Sequence, residues 1–255
     1  MTGVYGRIAA IAVLFLGQAA AADAPEINVY STVAMRGVLE DVVPQFEKES
    51  GQTLAISWGT AAVLTKRIEA GEPVDVAILT RPNIDTLIKD GKIASGAEAT
   101  LARSSIAVAV KSGAAKPDLS TPDALKQTLL QAKSIAYSNP ASGGASGVYF
   151  AKLLDRLGIA HQMKVKTKYP PAGGNSASLV AAGEAELAVQ QKPELLDVAG
   201  VDIAGLLPGD LNKVTVFAAG ITAASAKTKG AQAFLKFLQT PETAKVLRAH
   251  GFDTD

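Results

Sequence analysis

Short apolar runs recur along the chain, and each leads into a stretch whose apolar positions return every three or four residues. Ile27 to Tyr30 is the first run; behind it Met35, Val38, Leu39, Val42 and Phe46 share one helical face that stops at Gly51. Thr53 to Trp58 predicts a second strand, followed by Gly59-Thr60 and a helix through Leu64 and Ile68 to Gly71. Val74 to Leu79 predicts a third, with a helix through Ile84, Leu87 and Ile88 to Gly91. The unbroken apolar run Ile106 to Val110 precedes a Gly/Pro/Ser loop and a helix from Pro122 to about Ala132. Ser134 to Tyr137 points into a loop of small residues and a helix carrying Phe150, Leu153, Leu154 and Leu157. Val165 to Lys168 reads as an edge strand, a helix opens at Asn175-Ser176 and ends at Gly183, and Leu187 to Val189 is another buried strand. Val214 to Ala219 is the last strand, ahead of helices from Ser225 to Leu238 and Pro241 to His250. This alternation predicts an α/β protein, with mostly parallel sheets covered by helices on both faces.

The strand-to-helix turns share a chemistry. Ser31-Thr32, Gly59-Thr60, Ser142 to Gly147, and Gly173 to Ser176 are all small, hydroxylic or glycine-rich. Such turns lie at the carboxyl ends of strands, where an open α/β sheet binds its ligand. In the segment Asn139 to Lys152, NPASGGASGVYFAK, the glycines let backbone approach a guest and Ser146 stands where an N-cap belongs; Thr60 is the expected cap of its own helix. A single turn of this kind is equally an ordinary βα connection that uses Gly and Ser for their turn geometry. Recurrence favours anion binding by converging helix starts. The candidate ligand-binding set is Ser31, Thr32, Gly59, Thr60, Arg81, Ser142, Ser146, Gly147, Asn175, Ser176 and Gln191.

Composition narrows the setting. The chain has 255 residues, 48% of them hydrophobic and 5% aromatic, enough for one large or two medium domains. Residues 1–22 have the form of a secretory leader: Arg7, the apolar run Ile8 to Leu16, and Ala20-Ala21-Ala22 before the cut. Formal charge is +1, and Arg7 is the leader's only charge, so the mature chain is neutral (+1 − 1 = 0). No basic footprint for nucleic acid exists. Cysteine is absent, which removes both disulfides and a lipid-carrying residue behind the leader; a free periplasmic monomer without a membrane anchor is expected.

The strings Ile27 to Ala34, Phe46 to Gly51, Leu64 to Gly71 and Val74 to Ile78, together with Val180 to Val189 and His250 to Phe252, resemble the periplasmic molybdate-binding proteins. The resemblance covers nearly the whole mature chain and implies a two-lobed type II periplasmic binding fold closing on an anion. It places one lobe at residues 23–104 plus 213–255 and the other at 105–212. That family's two oxyanion-binding serines fall on Ala34 and Ala61, its binding tyrosine falls near Gln191, and the focal loop is two residues longer here, which argues against a small tetrahedral oxyanion.

Arg36, Arg81, Lys192, Gln190, Gln191 and Asn175 are offered instead near the predicted cleft. Arg81, directly after a strand, is suited to a bidentate grip on a carboxylate; Arg36 and Lys192 are more ordinarily surface charges. Within the superfamily, YSTVA (Tyr30 to Ala34), WGTAAVLTKRIEAGE (Trp58 to Glu72), NPASGGASGVYFAK and PPAGGNSASLVAAGEAELAVQQKPE (Pro170 to Glu194) are similar to bacterial aconitate isomerases. That resemblance implies an isomerase interconverting trans- and cis-aconitate by an allylic proton shift, with no cofactor. The alternative is the receptor subunit of an ABC importer, with a permease partner, for a di- or tricarboxylate. The base is open: His161 and His250 read as surface residues, leaving Tyr30, Tyr137, Tyr149 and Lys192 nearer the cleft. No metal-ligand cluster, phosphate loop or nucleophile elbow is legible.

Overall fold

The computed structural model describes residues 26–171, 173–225 and 228–254. The expected leader lies outside these residues. The chain lays down β1 (Ile27–Thr32), α1 (Arg36–Ser50), β2 (Leu54–Gly59), α2 (Ala61–Glu69), β3 (Val76–Thr80), α3 (Arg81–Lys89) and β4 (Ile93–Ser104). It then crosses into β5 (Ile106–Lys111), α4 (Pro122–Gln131), β6 (Ile135–Tyr137), α5 (Ala145–Arg156), α6 (Ala160–Lys164), β7 (Thr167–Lys168), α7 (Ser176–Ala181), β8 (Leu187–Gln191), α8 (Lys192–Leu196) and β9 (Val201–Leu206). It returns as β10 (Thr215–Thr222), α9 (Thr228–Phe237) and α10 (Pro241–Ala249).

Two five-stranded sheets result, ordered β2-β1-β3-β10-β4 and β7-β6-β8-β5-β9. They repeat one plan. In each, the strand second from one edge, β1 or β6, pairs in parallel with two neighbours, and the strand that has crossed over runs antiparallel to both of its own: β10 between β3 and β4, β5 between β8 and β9. The two-lobed architecture is the one expected, and its sheets are mixed because each crossing strand enters from the other lobe.

Apolar clusters cover both faces of both sheets. In the first lobe, Val38, Leu39, Phe46 and Phe234 pack one face, and Leu64, Ile68, Ile84 and Leu87 the other. In the second, Leu125, Leu129, Phe150 and Met163 oppose Ala177, Val180 and Leu195. Burial of both faces is why the central strands read as continuous apolar runs.

Sequence patterning missed β4, β9 and the short helices α6 and α8. The first two are edge strands: β4 carries Gly96, is bulged against β10 and is half-exposed over much of its length, so neither a continuous apolar run nor a clean alternation marks it. Among the described residues no helix is long and apolar enough to cross a membrane.

Candidate functional site

The carboxyl ends of β1, β2, β3, β6 and β8 face one another across a cleft between the lobes. From the first lobe come Thr32 to Ala34, Gly59 to Ala61 and Thr80; from the second come Ser138, Asn139, Ser142, Gly144 to Ser146, Gln191 and Glu194. Among the described residues that line it none is a lysine or arginine, and Glu194 is the one with an ionisable side chain.

Its donors are therefore amides and hydroxyls. Helix α5 starts at Ala145 behind Gly144, whose backbone is extended (φ −67°, ψ 131°) and which has no side chain to cap the helix. The first-turn N–H groups of α5 thus lack both an intrahelical partner and a cap, and they open at the positive end of a 12-residue helix. The start of α2 lies across the cleft. There Thr60 accepts from the Val63 amide at 3.3 Å and donates its hydroxyl to the Ser142 carbonyl at 2.6 Å, joining the two lobes. Gly143 (φ +70°) comes so near Ala62 that an added Cβ would stand 2.6 Å from the Ala62 Cβ, so the lobes touch here.

Two buried polar atoms in the lining have no partner: Thr32 Oγ1 and Gln191 Oε1. Leaving such an atom unpaired costs about 1–3 kcal/mol, which a bound guest would recover. Gln191 gives its amide NH2 to the Thr215 hydroxyl at 2.7 Å. A hydroxyl can donate as well as accept, so the Gln191 amide can turn over and offer its NH2 to an anion.

Glu194 is 8% exposed and is held by a chain of hydrogen bonds. Its Oε1 accepts from Gln190 Nε2 at 2.6 Å; Gln190 Oε1 in turn accepts from the Ser176 amide at 2.7 Å and the Ser176 hydroxyl at 2.5 Å. Burial pushes the Glu194 carboxyl up to about 7, against the opposing pull of the Gln190 amide and the Gln191 N–H. Asn175 caps α7 through the Ala177 amide at 2.9 Å and donates to the Glu194 carbonyl.

Of the residues selected from sequence, Thr32, Gly59, Thr60, Ser142, Ser146 and Gln191 line the cleft. Ser31 and Ser176 are fully buried behind it, and Asn175 faces the adjoining groove. Ser146 is not the N-cap; α5 begins one residue before it, so Ser146 sits in the first turn. Gly147 answers a packing need: a Cβ there would stand 2.1 Å from the Ser138 carbonyl oxygen, so glycine serves to seat α5 on the end of β6.

Arg81 is the main correction. Its Nε binds Asp85 at 2.7 Å, one helical turn on, and its NH2 lies 4.0 Å from Glu98 of β4, outside the cleft. Arg36 lies over the Trp58 ring at 5.0 Å, and the Lys192 stem packs against Gly251. The candidate bases go elsewhere too. The Tyr30 hydroxyl donates to Glu72, Tyr137 pairs with Tyr169, and Tyr149 donates to the Leu211 carbonyl. His250 is no solitary surface group: it stands between Asp41 of α1 (2.8 Å) and Asp197 beyond α8 (3.0 Å), bridging the lobes. Glu194 was missed, although a carboxylate just past the end of a buried strand was visible in Gln190-Gln191-Lys192-Pro193-Glu194.

Residues 27–253 match the family described as bacterial extracellular solute-binding protein. The chain belongs to that family. It is 36% identical over 231 residues to the aconitate isomerase of a Pseudomonas species, covering 88% of this chain and 86% of that one. It is 24% identical over 235 residues to the molybdate-binding protein of Escherichia coli K12, covering 91% of each. Among solved structures, the periplasmic molybdate-binding protein of Azotobacter vinelandii superposes with a TM-score of 0.74 at 23% identity, over 90% of this chain and 99% of that one, a likeness of fold. Ala34 and Ala61, which stand where the molybdate-binding resemblance puts oxyanion-binding serines, both line the cleft of this solute-binding protein.

Proposed function

We propose that the protein is an aconitate isomerase that interconverts trans- and cis-aconitate in the cleft between its lobes. The observation that carries this reading is the 36% identity over 88% of the chain to an aconitate isomerase. The cleft agrees with it. Methyl groups at Ala34 and Ala61 leave a molybdate-sized ion without its hydroxyl donors, while amides of the α5 start, Thr32 and Gln191 are spread over both lobes, as a guest with several carboxylates requires. The lobes are assigned to residues 23–104 with 213–255 and to 105–212, and the mature protein to the periplasm after loss of residues 1–22.

The reaction moves one proton along a three-carbon unit. Removal of a methylene proton leaves an allylic carbanion whose charge spreads into the attached carboxylates, and return of the proton to the other terminal carbon shifts the double bond. Preorganised amides facing the carboxylate that gathers charge stabilise that intermediate without solvent reorganisation.

The fold and the molybdate-binding relatives support a second reading, the receptor subunit of an importer for a di- or tricarboxylate with a permease as partner. One incubation separates the two. Purified protein with trans-aconitate is expected to yield the cis isomer by chromatography; binding by calorimetry without any cis product would leave the receptor reading alone.

A further inference from the structure

We propose that Glu194 is the catalytic acid–base that carries the proton between the two carbons of aconitate. The assignment rests on the isomerase reading of the cleft and supplies the one group that reading lacks. Among the described residues that line the cleft, Glu194 is the only one with an ionisable side chain, and it belongs to the second lobe, as does Gln191. Its carboxylate is aimed by Gln190, which Ser176 locks from the amide and hydroxyl side, so the group is oriented before a substrate arrives. Tyr30, Tyr137, Tyr149 and His250, which could compete, are committed elsewhere.

The proton balance closes with this one residue. The Glu194 carboxylate takes a proton from the methylene carbon, and the C–H pair enters the allylic system. The resulting carboxylic acid returns the proton to the former vinyl carbon as the double bond moves over, leaving the carboxylate free again. No oxidant, reductant or second substrate enters. A base that starts near neutrality in affinity suits both halves, because it must accept from carbon and then donate to carbon at the same pH.

Glu194 also occupies the third position of α8, from which a side chain can reach back to the N–H of the N-cap, Gln191. That structural role separates cleanly from the proposed one, because glutamine performs it as well as glutamate. In deuterated water, the wild type is expected to isomerise trans-aconitate and to wash deuterium into recovered substrate. Glu194→Gln is expected to lose both by about 100-fold or more, the usual contribution of a positioned acid–base group, while keeping its circular dichroism, melting temperature and calorimetric binding of trans-aconitate. Glu194→Asp should restore part of the rate.

A Glu194→Gln protein that keeps wild-type turnover and exchange overturns the assignment and leaves the isomerase reading intact. A wild type that binds but neither isomerises nor exchanges overturns both. Should the variant not fold, the wild-type rate profile decides. The charged groups near Glu194 are Asp197 on its own segment, Arg36, Glu40 and Asp41 from α1, and His250 from α10, all around the adjoining groove. kcat is expected to rise with pH with a midpoint near neutrality, and to keep that limb in His250→Asn. A flat kcat between about pH 5.5 and 8.5, or a limb that disappears with His250, overturns the proposal.

Discussion

The two lobes share a strand order and present their strand ends to the same cleft, yet they bring different things to it. Among the described residues, the first lobe contributes hydroxyls and amides at Thr32, Thr60 and Thr80, and no ionisable group. The second contributes an uncapped helix start, an amide at Gln191 and the carboxylate residue Glu194. On the proposed assignment, binding is shared between the lobes while proton transfer belongs to one. A duplicated architecture can hold a two-ended ligand symmetrically and still carry out one-sided chemistry, because a reactive side chain needs only one strand end to aim it.

Matched glycines test how rigid each side is. Gly147 of the second lobe would place a Cβ 2.1 Å from a backbone oxygen, that of Ser138, whereas Gly59 of the first would meet the tip of the Leu64 side chain at 3.0 Å. Backbone cannot step aside as a leucine tip can. Gly147→Ala is expected to cost about 3 kcal/mol in denaturant unfolding and to displace the α5 amides enough to abolish calorimetric binding of trans-aconitate; Gly59→Ala should cost under about 1 kcal/mol and keep binding. Equal effects would mean that the lobes are equally adaptable.

The lobes are also joined outside the cleft, through His250 between Asp41 and Asp197, and this link is ionic where the Thr60–Ser142 link is neutral. Desolvation alone would lower the His250 pKa, but the hydrogen bonds and charges of the two carboxylates outweigh it and raise it above the usual histidine value. A group whose folded pKa is raised stabilises fully below its unfolded value, about 6.5, and loses that contribution as pH climbs through the folded value. The urea midpoint of the wild type minus that of His250→Asn should therefore be largest at pH 6 and shrink by pH 8, with a total below about 1 kcal/mol because solvent reaches the bridge. A difference independent of pH would show that the imidazole acts only by packing.

The smallest effect is expected at Arg81. Its guanidinium is occupied by Asp85 and Glu98 at the rim, so Arg81→Ala should leave trans-aconitate affinity unchanged by calorimetry and move stability by under about 0.5 kcal/mol. Loss of affinity would restore the arginine to the site and make the first lobe the carrier of positive charge.

The error over Arg81 and the omission of β4 are one error. Without the edge strand there was no Glu98 to draw the guanidinium outward, and an arginine after a strand looked free to face the ligand. Ser146 was misread for a related reason: the small-residue loop offered several starts for α5, and packing of Gly147 against Ser138 selected the earlier one.

Local order was legible in the chain because its causes are local. Alternation of strands and helices, the turns at Gly51 and Thr60, and the small residues at strand ends follow from periodicity, backbone freedom and capping, each readable within about ten residues. Which of those ends line a common cleft, that Gln190 and Ser176 aim Glu194, and that His250 meets two carboxylates 53 and 209 positions away were decided only when the sheets assembled. Such groups are brought together by burial of the four apolar clusters, a force without direction or sequence code for the polar contacts it happens to enclose.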